Sequence, residues 1–240
     1  MDINCDLGEG FGCEAEILPF IHSANIACGF HAGSPQEMAH TVALAKKMGV
    51  QVGAHPSWND RANFGRTAQQ LSSAEIIALI TYQLGALDAI CRKAQYPLQH
   101  VKPHGALYNQ ASSDPAIAGA IIEAVLAFNP GLQLYVLAGS QFSKLAKAAG
   151  LRIKEEAFAD RMYQADGSLA PRHQPNAVLL QSPEVLKQVD SIMRFNRVQT
   201  VDGSYLQLHA DTLCIHGDGP TAVSLAKAVH AYLQTNSPAC

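Results

Sequence analysis

The chain has 240 residues, enough for a large core in one α/β domain or for two small domains. Hydrophobic residues make up 48% and charged residues 15%, a balance that favours extensively buried strands and helices over disorder. The net charge is −3 and no basic block occurs, which argues against nucleic acid as a partner.

In chain order, Asp2 to Asp6 reads as a first strand. Asp2, Asn4 and Asp6 share one face, and Ile3 and Cys5 share the other. A buried face of that kind needs partners, a metal or solvent, because unpaired buried carboxylates are costly. The glycine-rich loop Gly8-Glu9-Gly10-Phe11-Gly12 follows. It is neither a Walker A loop nor a dinucleotide fingerprint. Ser23 to Ala27 is a second strand leading to His31. Ser34, Pro35 and Glu37 then signal a helix start with a capping box, and Gly49 a stop. Gln51 to Ala54 is a third strand ending in His55-Pro56-Ser57. A long loop precedes a second capping box, Ser72 with Glu75, and a helix with a broad apolar face.

His100 to Lys102 reads as a fourth strand. Pro103 keeps Lys102 extended, so Lys102 and His104 point to the same side before Gly105 permits a sharp exit. Asp114-Pro115 opens the next helix. Leu132 to Leu137 is a continuous apolar strand, as expected of a parallel sheet covered on both faces. A helix starts at Ser140 and ends at Gly150. Arg152 to Ala159 is a sixth strand closing on Asp160-Arg161. An irregular loop through Gly167 and Pro171 leads to a helix capped by Ser182-Pro183-Glu184. Thr212 to Ile215 is the last strand, ending in His216-Gly217-Asp218, and a C-terminal helix follows. Strand then helix, repeated roughly seven times without linker or sequence repeat, predicts one domain over residues 1–240. The predicted fold class is α/β, an irregular (β/α) barrel of seven strands with right-handed crossovers.

No apolar run in the sequence reads as a membrane span, and the chain opens on Asp2-Ile3-Asn4 without a basic or signal-like leader, so a cytoplasmic location is expected. Cys5, Cys13, Cys28, Cys91, Cys214 and Cys240 form no CxxC pair and read as reduced, mostly buried thiols. Cys28, beside Gly29, is the thiol to test as a nucleophile, although no base is fixed next to it.

The polar residues fall after strands rather than after helices, and in a barrel those ends meet on one rim. Asp6, His55, Lys102, His104 and Asp160 are the expected catalytic set, and Asn25, His31, Arg161, His216 and Asp218 the expected substrate contacts. Asp6 suits a general base or metal ligand, and the histidines suit proton transfer near neutral pH. Lys102 and Arg161 suit a carboxylate or an oxyanion, although Arg161 could equally pair with Asp160 or Glu156 and merely order the rim. A divalent metal on Asp6, His31 and His55 is a further option, at a spacing that matches no recognised zinc signature.

The stretches DINCDLGEGFG (2–12), SANIACGFHAG (23–33), GAHPS (53–57), HVKPHGALYN (100–109), EAFADR (156–161), DGSLAPR (166–172) and CIHGDGP (214–220) resemble the family of the 5-oxoprolinase A subunit, also called the LamB/YcsF lactam-utilisation family. The resemblance runs nearly end to end. It implies cleavage of 5-oxoproline to L-glutamate coupled to ATP hydrolysis, with partner subunits B and C, on a barrel similar to those of polysaccharide deacetylases and glycoside hydrolases. Ser34, Asn63, Thr67 and Gly219 depart from the usual pattern, which bears on loop shape and fine substrate choice. With no P-loop in the chain, the ATP site falls to partner subunits or to another design. Two alternatives stay open: a metal-dependent deacetylase or amidohydrolase acting without ATP, and a non-catalytic lactam-binding protein. Homo-oligomer formation is also left open.

Overall fold

The computed structural model describes residues 1–236; Cys240 lies outside the described residues. Seven strands form a closed parallel barrel: β1 (Asp2–Leu7), β2 (Ser23–Ala27), β3 (Gln51–His55), β4 (Leu98–Val101), β5 (Gln133–Leu137), β6 (Arg152–Phe158) and, last in the chain, β9 (Thr212–Ile215). β9 closes the sheet by pairing with both β1 and β6. The predicted seven-stranded α/β barrel is the fold observed. A short antiparallel hairpin, β7 (Arg197–Gln199) with β8 (Tyr205–Gln207), stands outside it.

The covering helices are α1 (Glu14–Ile17), α2 (Pro35–Met48), α3 (Ser73–Ala94), α4 (Gly105–Ser113), α5 (Pro115–Phe128), α6 (Gln141–Ala148), α7 (Ser182–Phe195) and α8 (Ala222–Asn236). Their start signals act as the sequence suggests, with three amendments. At α2, Ser34 accepts from the Glu37 amide at 3.2 Å and Gly49 adopts φ +72°, but the capping box forms fully only at α3, between Ser72 and Glu75. At α7 the cap position is Gln181, and Ser182 is already helical. Gly105 opens α4 where a loop was expected.

By length and mean hydropathy (1.5) α3 is long and apolar enough to cross a membrane, contrary to the sequence expectation. Its apolar residues form a stripe, however: Ile76, Ile80, Leu84, Leu87 and Cys91 are buried, while Glu75, Tyr82 and Arg92 are exposed. That stripe covers the barrel.

The barrel interior is polar and layered, because the inward-facing residues alternate along each strand. At the amino end Thr212 Oγ1 donates to Asp2 at 2.6 Å, and Lys154 pairs with Asp2 at 3.3 Å. One layer up, Asn25 Nδ2 donates to Asn4 and to Asp6, both at 2.8 Å, and the His100 ring bonds Asn25 Oδ1 at 2.8 Å. Asn25, Gly53 and His100 are register partners on β2, β3 and β4, and a Cβ at Gly53 would overlap the His100 ring. The β3–β4 register shifts between Val52 and Gly53. The missing side chain is what lets an imidazole fill the barrel there.

Candidate active site

The third interior layer opens at the carboxyl end of the barrel. Asp6 lies on β1, and Glu9 lies in the turn after it, between Gly8 (φ +69°) and Gly10 (φ +89°). His31 follows β2, His55 ends β3, Lys102 and His104 follow β4, Asp160 and Arg161 follow β6, and His216 and Asp218 follow β9. A cavity of about 630 Å³ sits over them, and Asp6, His55, Lys102, His104, Arg161 and His216 line it together with Arg66 and Arg172. Asn25 lies one layer deeper, bonded to Asp6. His31 stacks behind His104, Asp160 lies behind His216, and Asp218 pairs with Arg66 and Arg172 at the rim.

Lys102 is buried among acceptors. Its Nζ lies 3.0 Å from Asp6 Oδ1, 2.9 Å from Glu156 Oε1, 3.2 Å from Asn4 Oδ1 and 2.9 Å from Cys214 Sγ. Burial disfavours its charge, but Asp6, Cys214 and Glu156 outweigh that and hold the ammonium well above its usual pKa. Three N–H donors facing four acceptors leave nothing over for a substrate carboxylate. Lys102 thus serves the wall of the site rather than the anion-holding role expected of it. Burial likewise pushes Asp6 up, but His55 and Lys102 more than offset it, and the carboxyl stays well below its usual range. Asp6 is an ionised carboxylate at neutral pH.

His216 donates its backbone N–H to Asp160 Oδ2, and its Nδ1 lies 3.0 Å from both Asp160 oxygens. Burial is offset by His216, which holds Asp160 below its usual pKa. The carboxylate therefore fixes Nδ1–H on His216, and no hydrogen bond among the described residues engages Nε2. Arg161 pairs with neither Asp160 nor Glu156. Its Nη2 and Nε donate to the carbonyls of Ala170 and Ala177. Burial, then the neighbouring Arg172, lowers its pKa to about 10. A buried guanidinium with no salt bridge among the described residues, in a cavity wall beside Arg172, is suited to an anionic ligand.

The three histidines meet around Glu9 rather than around Asp6. Glu9 Oε1 lies 2.9 Å from His31 Nε2, 3.5 Å from His104 Nδ1 and 4.0 Å from His55 Nε2. Asp6 Oδ2 approaches His55 alone, at 3.3 Å, because Lys102 and Asn25 hold its other oxygen. The grouping of Asp6 with His31 and His55 as metal ligands is corrected accordingly: Glu9 and His104 complete the cluster, and Asp6 falls with Cys214 and His216. Burial raises Glu9 well above its usual pKa, with Asp6 adding to the effect, and burial lowers His31 and His104.

Cys28 is no nucleophile. Its thiol is buried, donates to the Ile26 carbonyl and is pushed up by burial to about 12. Sequence reasoning assigned Glu156 only to Arg161, whereas Tyr108 Oη donates to it at 2.7 Å and Lys102 pairs with it. The signal was the inward set Lys154, Glu156 and Phe158, spaced by two along β6.

A closed parallel barrel with ionised, proton-carrying and cationic groups gathered at one mouth defines an α/β-barrel protein built for polar small-molecule chemistry. The chain belongs to the LamB/YcsF family, whose sequence profile matches residues 1–239. It is 49% identical over 238 residues to a Tolumonas auensis protein named as the A subunit of 5-oxoprolinase, covering 97% of this chain and 95% of that one. Its structure is similar to a lactam utilization protein from Thermus thermophilus, with a TM-score of 0.90, 44% identity, and coverage of 98% and 96% of the two chains. A putative cellobiose-phosphate cleavage protein from Enterococcus faecalis V583 shares the fold, with a TM-score of 0.59 at 10% identity and coverage of 98% and 93%.

Proposed function

We propose that this chain is the A subunit of an ATP-dependent 5-oxoprolinase, hydrolysing the lactam amide of 5-oxo-L-proline to L-glutamate together with subunits B and C. The observation that carries the reading is one cavity faced by an ionised carboxylate, Asp6, and by an imidazole, His216, oriented by Asp160. The names of the Tolumonas and Thermus proteins support the substrate class.

A five-membered lactam is a stable amide. Water must lose a proton as it adds to the carbonyl carbon, the oxygen must be stabilised, and the ring nitrogen must gain a proton as the C–N bond breaks. ATP eases the first step by transferring its γ-phosphoryl group to the carbonyl oxygen with departure of ADP; after the C–N bond breaks, hydrolysis of the resulting acyl phosphate releases inorganic phosphate and the carboxylate of glutamate. Asp6 accepts the proton from water, held in its charged state by Lys102. His216 Nε2 delivers a proton to nitrogen, with Asp160 stabilising the imidazolium. Arg161 and Arg172, with Arg66 at the rim, hold the substrate carboxylate or a phosphorylated oxygen. The cavity is large for a single lactam, which leaves room for the phosphoryl group.

The test is a glutamate-release assay with this chain, subunits B and C, and ATP omitted in turn. Release is expected only with all components present. Release by this chain alone without ATP would replace the reading with a stand-alone amidohydrolase, and release undiminished when this chain is left out would remove it altogether.

A further inference from the structure

The cluster of Glu9, His31, His55 and His104 has a hydrogen-bond pattern that fixes which nitrogens carry hydrogen. The Ser57 hydroxyl donates to the Trp58 carbonyl at 2.9 Å, so Ser57 Oγ accepts from His31 Nδ1–H, also at 2.9 Å. His55 Nδ1–H donates to the Lys102 carbonyl at 2.7 Å, and His104 Nε2–H to the Phe64 carbonyl at 2.9 Å. Each ring spends its hydrogen on an outer oxygen and turns its remaining nitrogen inward. In neutral rings His55 Nε2 and His104 Nδ1 then face each other at 2.9 Å as two lone pairs, with Asp6 Oδ2 3.3 Å from His55 Nε2, and His31 Nε2 faces Glu9 Oε1 at 2.9 Å. Acceptor against acceptor, in a buried place, needs a shared proton or a metal ion between them, and four converging donors of this kind suit the ion.

We infer that Glu9, His31, His55 and His104 form a binding site for a late first-row divalent cation, zinc being the ion that three imidazoles and one carboxylate fit best. The four donor atoms lie within 4.8 Å of one another. Four of their six separations, 2.9, 2.9, 3.5 and 4.0 Å, bracket the edge of a tetrahedron with bonds of about 2.05 Å, which is about 3.3 Å. The outer oxygens of Ser57, Lys102 and Phe64 play the part that carbonyls and hydroxyls play behind metal-bound histidines, holding each tautomer. His31 and His104 stack with ring centres 3.7 Å apart, so the ion would tilt one ring out of that stack, with Glu9 following on its glycine-flanked turn. The second group, Asp6 with Cys214 and His216, is the poorer site because the Lys102 ammonium already lies 2.9 Å from the Cys214 sulfur and 3.0 Å from Asp6.

The experiment uses the full chain, stripped with a chelator, and does not involve glutamate release, so it stands or falls apart from the lactam reading. Zinc is titrated by calorimetry, bound metal is counted by mass spectrometry, and cobalt(II) serves as the spectroscopic probe. About one zinc per chain and an intense visible cobalt band of four-coordinate type are expected. Ser57→Ala should weaken zinc about 10- to 100-fold, as loss of an outer partner does. The pair His31→Gln with His104→Gln should abolish binding, and Cys214→Ser should leave it unchanged. Absence of zinc and cobalt uptake by the wild-type chain overturns the inference, as does uptake that survives the double histidine variant or is lost only in Cys214→Ser. Should the histidine variants fail to fold, the wild-type cobalt spectrum decides, since a weak six-coordinate spectrum also overturns it.

Discussion

Burial makes several imidazoles in this barrel costly to protonate, and the clearest is His100. It is fully buried, its pKa is lowered to about 3 by burial and then by Lys154 and Lys102, and it lies outside the histidine cluster. In the unfolded chain the group titrates near its ordinary value of about 6.5. Between those values the unfolded state binds more protons than the native state, so stability falls as the pH drops. His100 alone contributes a slope of about 1.4 kcal/mol per pH unit. Urea unfolding at pH 7, 6, 5 and 4 should show that decline, and His100→Gln should flatten it by about one proton. An unchanged slope in the variant would contradict the assignment. At this scale the sequence pointed to much of the cavity lining. Asp6, His55, Lys102, His104, Arg161 and His216 do line one cavity, because the alternation of a strand dictates which side chains face inward. What it could not reveal was pairing. That Lys102 is spent on Asp6, and that Glu9 rather than Asp6 meets His31, depends on how separate loops converge.

At the scale of elements, glycine has opposite meanings in two places. Gly53 sits where β3 approaches β4, and any side chain there collides with His100. Gly53→Ala should destabilise by about 1–3 kcal/mol through overpacking. Gly85 lies inside α3 with open space around it, and Gly85→Ala should stabilise by about 0.5–1 kcal/mol through helix propensity. Urea midpoints of the two variants should therefore move in opposite directions, and a shift of the same sign in both would refute this account. The seven barrel strands were legible because each is an apolar or alternating run bounded by turn residues. The hairpin was missed because strands of three residues carry almost no periodicity, although Asp202-Gly203 between them was a turn signal. α4 was missed because Pro103 and Gly105 read as a loop, whereas Gly105 is itself the first helical residue.

The molecule as a whole is organised by closure. β9 comes last in the chain and seals β6 to β1, so Asp160 and His216, which are 56 residues apart, meet only when the barrel is complete. The same closure sets Cys214 of β9 against Lys102 and brings the rim pair of Arg66 and Asp218 together. That the strands close, and in seven, followed from the repeated strand-helix order. The depth of the polar interior did not, because buried polar layers look like ordinary alternation until their partners are known. The proposed lactam cleavage is assigned to this chain, at the mouth of this barrel. Its most direct test is steady-state glutamate release by Asp6→Asn, assembled with wild-type subunits B and C and ATP, with assembly verified by gel filtration. The predicted result is an intact complex with kcat reduced at least about 100-fold, as expected for loss of a general base. An intact complex releasing glutamate at the wild-type rate would place the chemistry elsewhere.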